Sequence, residues 1–250
     1  MLQNSSYDLL EGMTSISALL ERSDAAMRVL EVLIDKTKSA SKAREIAFLQ
    51  AKSKELGFPI RFAEPDEIAS LATGKTHGGI LAKCNPIELS HLTASDIRPG
   101  GFYAYLDGIE DPYNFGYTLR SLYAFGIDGV ILTERNWMSA EGVVARASAG
   151  TSEKLPLFVS DYESAIELFK AAGYRIAAAG IRNAQDIVEA DCSYPLLLVV
   201  GGEKRGISGK LLDACDLILK IPYARPFRGS LPTASAASVL AFEVFRKNSK

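Results

Sequence analysis

Apolar and polar positions recur along the chain in two rhythms, amphipathic stretches with a helical period and short apolar runs of strand length. In the first third, a helical segment from Met13 to Glu21 precedes the apolar run Val29 to Ile34. A long helix is then predicted from Ser39 to Leu56, closed by Gly57. Phe58 to Phe62 reads as a strand, Pro65 opens a short helix through Leu71, and Ile80 to Ala82 is a further strand. Residues 1–85 are therefore expected to form a small α/β domain.

The polar stretch 86–101, with Pro86, Pro99, Gly100 and Gly101, breaks the pattern and is expected to be a linker. Beyond it, over 102–250, strand and helix patterns alternate. The strands are Phe102 to Leu106, Gly129 to Leu132, Leu157 to Val159, Tyr174 to Ala179, Leu196 to Val200 and Leu217 to Ile221. The helices are Tyr117 to Phe125, Gly142 to Ala147, Tyr162 to Ala172, and a closing Ala/Ser-rich helix for which Thr233 is the expected N-cap. Such alternation predicts a mostly parallel sheet covered by helices on both faces.

Composition narrows the picture without naming a chemistry. With 48% hydrophobic and 23% charged residues over 250 positions, the chain is that of an ordinary globular protein. No apolar run approaches the roughly 18 to 20 residues of a membrane span, and the N-terminus lacks the order of a signal peptide, so a cytoplasmic protein is expected. Cys84, Cys192 and Cys215 are odd in number and scattered, suggesting neither a disulfide framework nor a metal site. The net charge of −2 excludes a wholly basic nucleic-acid coat but not a local patch. Between Lys36 and Lys54, the basic Lys36, Lys38, Lys42, Arg44, Lys52 and Lys54 meet only Glu45. That pattern fits either a solvated helix face or a phosphate-binding surface. His77 is expected as a turn residue and His91 as part of the linker.

In parallel α/β sheets, ligands collect at the carboxyl ends of strands, and several ends here carry unusual residues. The first is Asp107 to Gly116, leading into a helix that carries Arg120; Asn114 is expected to cap that helix. The second is Gly201 to Ser208, where glycines after a buried strand would let a ligand lie against the main chain. It has neither the P-loop nor the dinucleotide-binding fingerprint. The third is Ile221 to Leu231, a loop rich in Pro, Arg and Gly that runs into the closing helix. Ala179 and Gly180 end another strand and add a further wall.

Taken together, these segments resemble the SPOUT superfamily of methyltransferases, and within it the SpoU or TrmH type that methylates a ribose 2′-hydroxyl in RNA. The first family motif resembles Asp111-Pro112-Tyr113-Asn114-Phe115-Gly116 with Arg120 and Phe125-Gly126. The second resembles Val200-Gly201-Gly202-Glu203-Lys204-Arg205-Gly206-Ile207-Ser208, and the third resembles Ile221-Pro222 followed by Ser230-Leu231. The likeness covers about 102–250, and Thr76-His77-Gly78-Gly79-Ile80 is similar to an element of the family's L30e-like N-terminal substrate domain. It implies a C-terminal trefoil knot, S-adenosylmethionine as methyl donor, homodimers, and RNA, either ribosomal or transfer, as partner, with no membrane and no metal.

By the same resemblance Arg120, Asn114, Glu203 and Ser230 frame the catalytic site, and main-chain groups of Ala179, Gly180, Gly201, Ile221 and Leu231 hold the cofactor. Glu203 has a second reading, as an acceptor for backbone N–H groups of the knot. One position departs from the pattern: Pro232 stands where the family usually has Asn. A non-catalytic RNA-binding or ribosome-assembly factor that keeps the fold is the alternative this departure leaves open.

Overall fold

The computed structural model describes residues 7–133 and 140–249. These divide into two compact units, residues 7–88 with 140–154, and residues 89–133 with 155–249. The first unit holds β1 (Asp8–Glu11), α1 (Met13–Leu20), α2 (Ala25–Arg28), β2 (Val29–Asp35), α3 (Ala43–Leu56), β3 (Ile60–Ala63), α4 (Pro65–Leu71) and β4 (Ile80–Cys84). Its sheet runs β1-β4-β2-β3, with only the β2–β3 pair parallel. Several elements differ from expectation, and three of the differences have a visible cause. Strand β1 went unpredicted because only its pairing with β4 makes four residues a strand. Helix α3 begins at Ala43, since the Asp35 carboxylate takes the Thr37 N–H and hydroxyl at 2.8 and 2.6 Å and winds Lys36–Lys38 into a separate 3₁₀ turn. Strand β3 starts at Ile60 because the Pro59 carbonyl is the first group to accept from β2, at Val32.

The second unit holds β5 (Ser90–His91), β6 (Phe102–Asp107), α5 (Pro112–Ala124) and β7 (Gly129–Leu132) before the chain supplies α6 (Glu141–Ala147) to the first unit. It resumes with β8 (Leu157–Val159), α7 (Tyr162–Ala171), β9 (Arg175–Ala179), β10 (Gln185–Asp186), β11 (Leu196–Gly201), α8 (Gly209–Asp213), β12 (Leu217–Lys220) and α9 (Thr233–Asn248). The eight strands form one all-parallel sheet in the order β10-β12-β9-β11-β6-β7-β8-β5. Central strands β11 and β6 are buried on both faces from Leu196 to Val200 and from Phe102 to Leu106, which is why their sequences are continuous apolar runs. The expected linker contributes the edge strand β5, so His91 sits on a strand beside β8. On one face, Tyr103, Phe169 and Tyr174 pack ring on ring at 5.0 to 5.8 Å. The two tyrosine hydroxyls are used: Tyr103 donates to the Asp96 carbonyl and Tyr174 accepts from the Gly101 N–H.

Residues 140–154 were expected within the second domain; a buried charge cluster explains their place in the first. Arg28, on α2, donates to Glu153 at 3.0 Å, to Glu141 on α6, and to the Asn85 carbonyl at 3.0 Å. Arg22 donates to the Glu153 carbonyl at 3.1 Å, and Glu141 accepts from the Ile87 N–H at 2.8 Å. Gly142 makes the approach of α6 to β1 possible, since a Cβ there would lie 2.0 Å from the Leu9 carbonyl oxygen. Burial pushes the Glu153 carboxyl up to about 7 against the pull of Arg28, with the neighbouring Glu141 adding to it. Burial and then Glu141 raise Asp8 to about 7 as well. One Glu153 oxygen is buried without a hydrogen-bond partner among the described residues, so the carboxylate is only partly compensated by Arg28 and Arg22.

A carboxyl whose pKa is raised on folding stabilises the fold fully below its unfolded value and loses that contribution as pH rises through the folded one. Wild-type Tm should therefore carry a component that declines between about pH 5 and pH 8. In Glu153→Gln this component should shrink, read from melting curves of both proteins across that range; parallel curves would reject the assignment.

Candidate active site at the carboxyl edge of the parallel sheet

Strand order sets β12, β9, β11 and β6 side by side and parallel, so the residues that follow them emerge along one edge. At the end of β9, the Gly180 N–H donates to the Leu219 carbonyl of β12 at 2.9 Å, and Ala179 and Gly180 are half-buried. A Cβ on Gly180 would meet the Ile218 side chain at 2.7 Å. β11 ends at Gly201, whose carbonyl accepts from the Thr233 hydroxyl at 3.0 Å. That bond corrects the expected role of Thr233. It is the first residue of α9 rather than its N-cap; Pro232 occupies the cap position, without a side-chain cap bond, and Thr233 is buried against β11.

The glycines after β11 also serve a purpose other than the expected one. A Cβ on Gly202 would lie 2.1 Å from the Gly108 carbonyl oxygen, and one on Gly201 would lie 2.4 Å from the Gly206 carbonyl carbon. The space a side chain would need is taken by the chain's own backbone. Asp107, the last residue of β6, closes this crossing. Its carbonyl accepts from the Gly202 N–H at 2.7 Å and its carboxylate from the Ser208 N–H at 3.3 Å. Asp107 was missed as a structural residue because its partners lie about a hundred positions away.

Asn114 and Glu203 share a cleft of about 440 Å³ with Glu110, Asp111 and Lys204. Lys204 spans its mouth to Glu110 at 2.7 Å. Asn114 does not cap α5. Asp111 does, accepting the Asn114 N–H at 2.8 Å, with Pro112 in the first turn, so α5 begins five residues before the expected start. Arg120 lies on the exposed side of α5, and among the described residues neither it nor Glu203 nor Ser230 has a side-chain hydrogen bond or ion pair. Glu203 thus accepts no backbone N–H group among the described residues, contrary to its second reading as a structural acceptor. Arg120 and Ser230 do not line the 440 Å³ cleft.

The loop after β12 is the open part of the edge. Residues 222–230 are all exposed and make no backbone–backbone hydrogen bond among the described residues. Ile221 and Leu231 flank them half-buried, and the Leu231 N–H donates to the Tyr223 hydroxyl at 3.2 Å. Tyr223 also packs edge-on against Phe227 at 5.7 Å, between Arg225 and Arg228. The edge therefore offers unpaired main-chain donors and acceptors beside the guanidinium groups of Arg225 and Arg228, which suits a polar heterocycle read through its edges.

The family described as SpoU rRNA methylase matches residues 101–242. The chain belongs to it. A second family segment, described as RNA 2′-O ribose methyltransferase substrate binding, matches residues 9–90, on the first unit. A Staphylococcus haemolyticus protein assigned to the TrmH family of tRNA/rRNA methyltransferases is 31% identical over 210 residues, 82% of this chain and 84% of that relative. A Staphylococcus saprophyticus homologue is 38% identical over 143 residues, 57% of each chain. In fold, this SpoU chain is similar to the SpoU methyltransferase AviRb from Streptomyces viridochromogenes in complex with AdoMet. The TM-score is 0.79 at 23% identity, over 97% of this chain and 90% of that one. An rRNA methyltransferase from Sinorhizobium meliloti gives 0.78 at 22%, over 97% and 88%.

Gly202→Ala should destabilise this SpoU unit by about 3 kcal/mol or more, because the added methyl meets backbone that cannot swing aside. Gly209→Ala, with nothing within 4 Å of its Cβ, is the matched control and should change stability by less than about 0.5 kcal/mol. Denaturant melts of the two variants compare them directly.

Proposed function

We propose that this SpoU-family protein transfers the methyl group of S-adenosylmethionine to a ribose 2′-hydroxyl in structured RNA, ribosomal in preference to transfer RNA. The observation that carries the proposal is that two strands of one parallel sheet end at complementary places, β11 at the Asn114–Glu203 cleft and β12 at the open main-chain loop. The family description as an rRNA methylase supports RNA as substrate, and that of residues 9–90 supports the 2′-hydroxyl. S-adenosylmethionine, when bound, supplies an electrophilic methyl. Main-chain groups of Ala179, Gly180, Gly201, Ile221 and Leu231 would hold it, an assignment favoured for Ile221 and Leu231 by the unpaired backbone between them. A trefoil knot through 221–232 belongs to the same proposal.

Arg120 is assigned to grip an RNA phosphate with its fork and so align the neighbouring ribose hydroxyl, and Asn114, Glu203 and Ser230 to frame that ribose. Positioning of this kind supplies much of the rate of a group transfer. Lysine offers a point charge in place of two parallel donors. Arg120→Lys should therefore lower the methyl-transfer rate on the order of 10²-fold while S-adenosylmethionine affinity holds within about twofold. Transfer of tritiated methyl groups to RNA from cells lacking the protein measures it. Near-complete activity would remove the role of the fork, and RNA binding without transfer by the wild type would favour the non-catalytic alternative.

A homodimer belongs to the same proposal. Helices α5 and α9 pack together through Phe125 against Phe242 and Phe245, at 5.5 and 6.3 Å, and through Ser121 with Ser238 at 2.6 Å. Their outer faces still expose Tyr117, Val239, Phe242 and Phe245, each 40% or more. Adjacent exposed rings on two helices form the kind of patch that a second copy covers. Phe242→Asp should convert a dimer to a monomer in sedimentation; a wild-type monomer would remove the proposal.

A further inference from the structure

The first unit holds a polar cavity of about 250 Å³ whose lining shares no residue with the proposed methyl-transfer site. Its floor is the amino end of α1. Gly12 occupies the N-cap with φ of +79°, its own N–H bonded to the Ile80 carbonyl, and contributes no side chain to the helix end. The N–H groups of Met13, Thr14 and Ser15 have no acceptor among the described residues. Helix amino ends with exposed N–H groups favour anions. A second observation points the same way: Ser15 is 2% exposed, lines the cavity, and its hydroxyl has no hydrogen-bond partner among the described residues.

The remaining walls supply donors and positive charge. His77 accepts the Gly79 N–H on Nδ1 at 3.0 Å, which leaves its proton on Nε2 as a donor. Lys42 stands on another wall, shared with Glu45 at 2.8 Å. The one carboxylate in the lining, Glu11, is already saturated. It accepts from the Thr73 N–H and hydroxyl at 2.6 and 2.7 Å, from the Gly74 N–H at 3.1 Å, and from Arg146 at 2.7 Å. These donors hold the Glu11 carboxyl below the ordinary range in spite of its burial, so it is an anion whose lone pairs are spent within the protein.

We propose that this cavity seats a backbone phosphate of the RNA substrate, held by the amides of Met13 to Ser15, the Ser15 hydroxyl, His77 and Lys42. It rests on the reading that the substrate is RNA. Of the lysine-rich stretch Lys36 to Lys54, only Lys42 lines the cavity, which assigns the phosphate contact to one residue of the patch.

The test uses the full chain, ¹⁵N-labelled, titrated with inorganic phosphate, and then with RNA from cells lacking the protein across a range of salt. Phosphate should shift the Met13, Thr14 and Ser15 amides saturably, and Lys42→Ala with His77→Ala should weaken that response. The same double variant should reduce the slope of log affinity against log salt by about 1. Lys42→Gln alone, read in the same way, serves if the double variant does not fold. Absence of saturable shifts overturns the cavity as an anion site. Phosphate shifts with an unchanged RNA salt slope overturn the RNA assignment in favour of a free anion, while leaving the methyltransferase reading intact. A wild type that binds phosphate but no RNA overturns both the RNA phosphate and the substrate reading beneath it.

Discussion

The crossing of main chain at the carboxyl end of β11 is the constraint on which the second unit depends. Gly201 and Gly202 bring two loops within backbone contact of β11, and the Asp107 carbonyl and carboxylate tie those loops to β6. The Thr233 hydroxyl then fixes the start of α9 to the same strand end. Such a junction tolerates no side chain at its centre, so its sequence is set by packing before any ligand is considered. The open edge beside it is the converse: residues 222–230 leave their main chain to solvent, which the interior of a sheet cannot do.

Much of this was legible in the sequence. The apolar runs at Phe102 to Leu106 and Leu196 to Val200 announced buried parallel strands, and the three loops that follow strands carried the residue types of the family. What escaped was set by partners distant in sequence. Strands β5 and β10 have two residues each and exist only through pairing with β8 and β12. The cap of α5 falls to Asp111 in place of the expected Asn114, because its carboxylate closes the first turn by accepting the Asn114 N–H. Thr233 has the composition of a cap, yet a long-range bond to β11 draws it inside the helix and leaves the cap to Pro232.

The candidate site was legible as a set of segments but not as a geometry. Asn114 and Glu203 meet in one cleft, whereas Arg120 and Ser230 stand on other exposed surfaces of the same unit. The glycines are the sharpest lesson. A glycine after a buried strand suits both a ligand and a second stretch of backbone, and only the distance from a hypothetical Cβ to Gly108 separates the two.

The attachment of α6 to the first unit has a consequence for how the protein is made. Arg28 is synthesised more than a hundred residues before Glu141 and Glu153, its buried counterions. Until that later stretch leaves the ribosome, the nascent first unit must hold a guanidinium in a site built to be dry, without the charges that compensate it. Its completion therefore waits on a segment encoded inside the other unit. Vectorial synthesis, which lets many N-terminal domains settle before their successors appear, cannot fully separate the folding of these two.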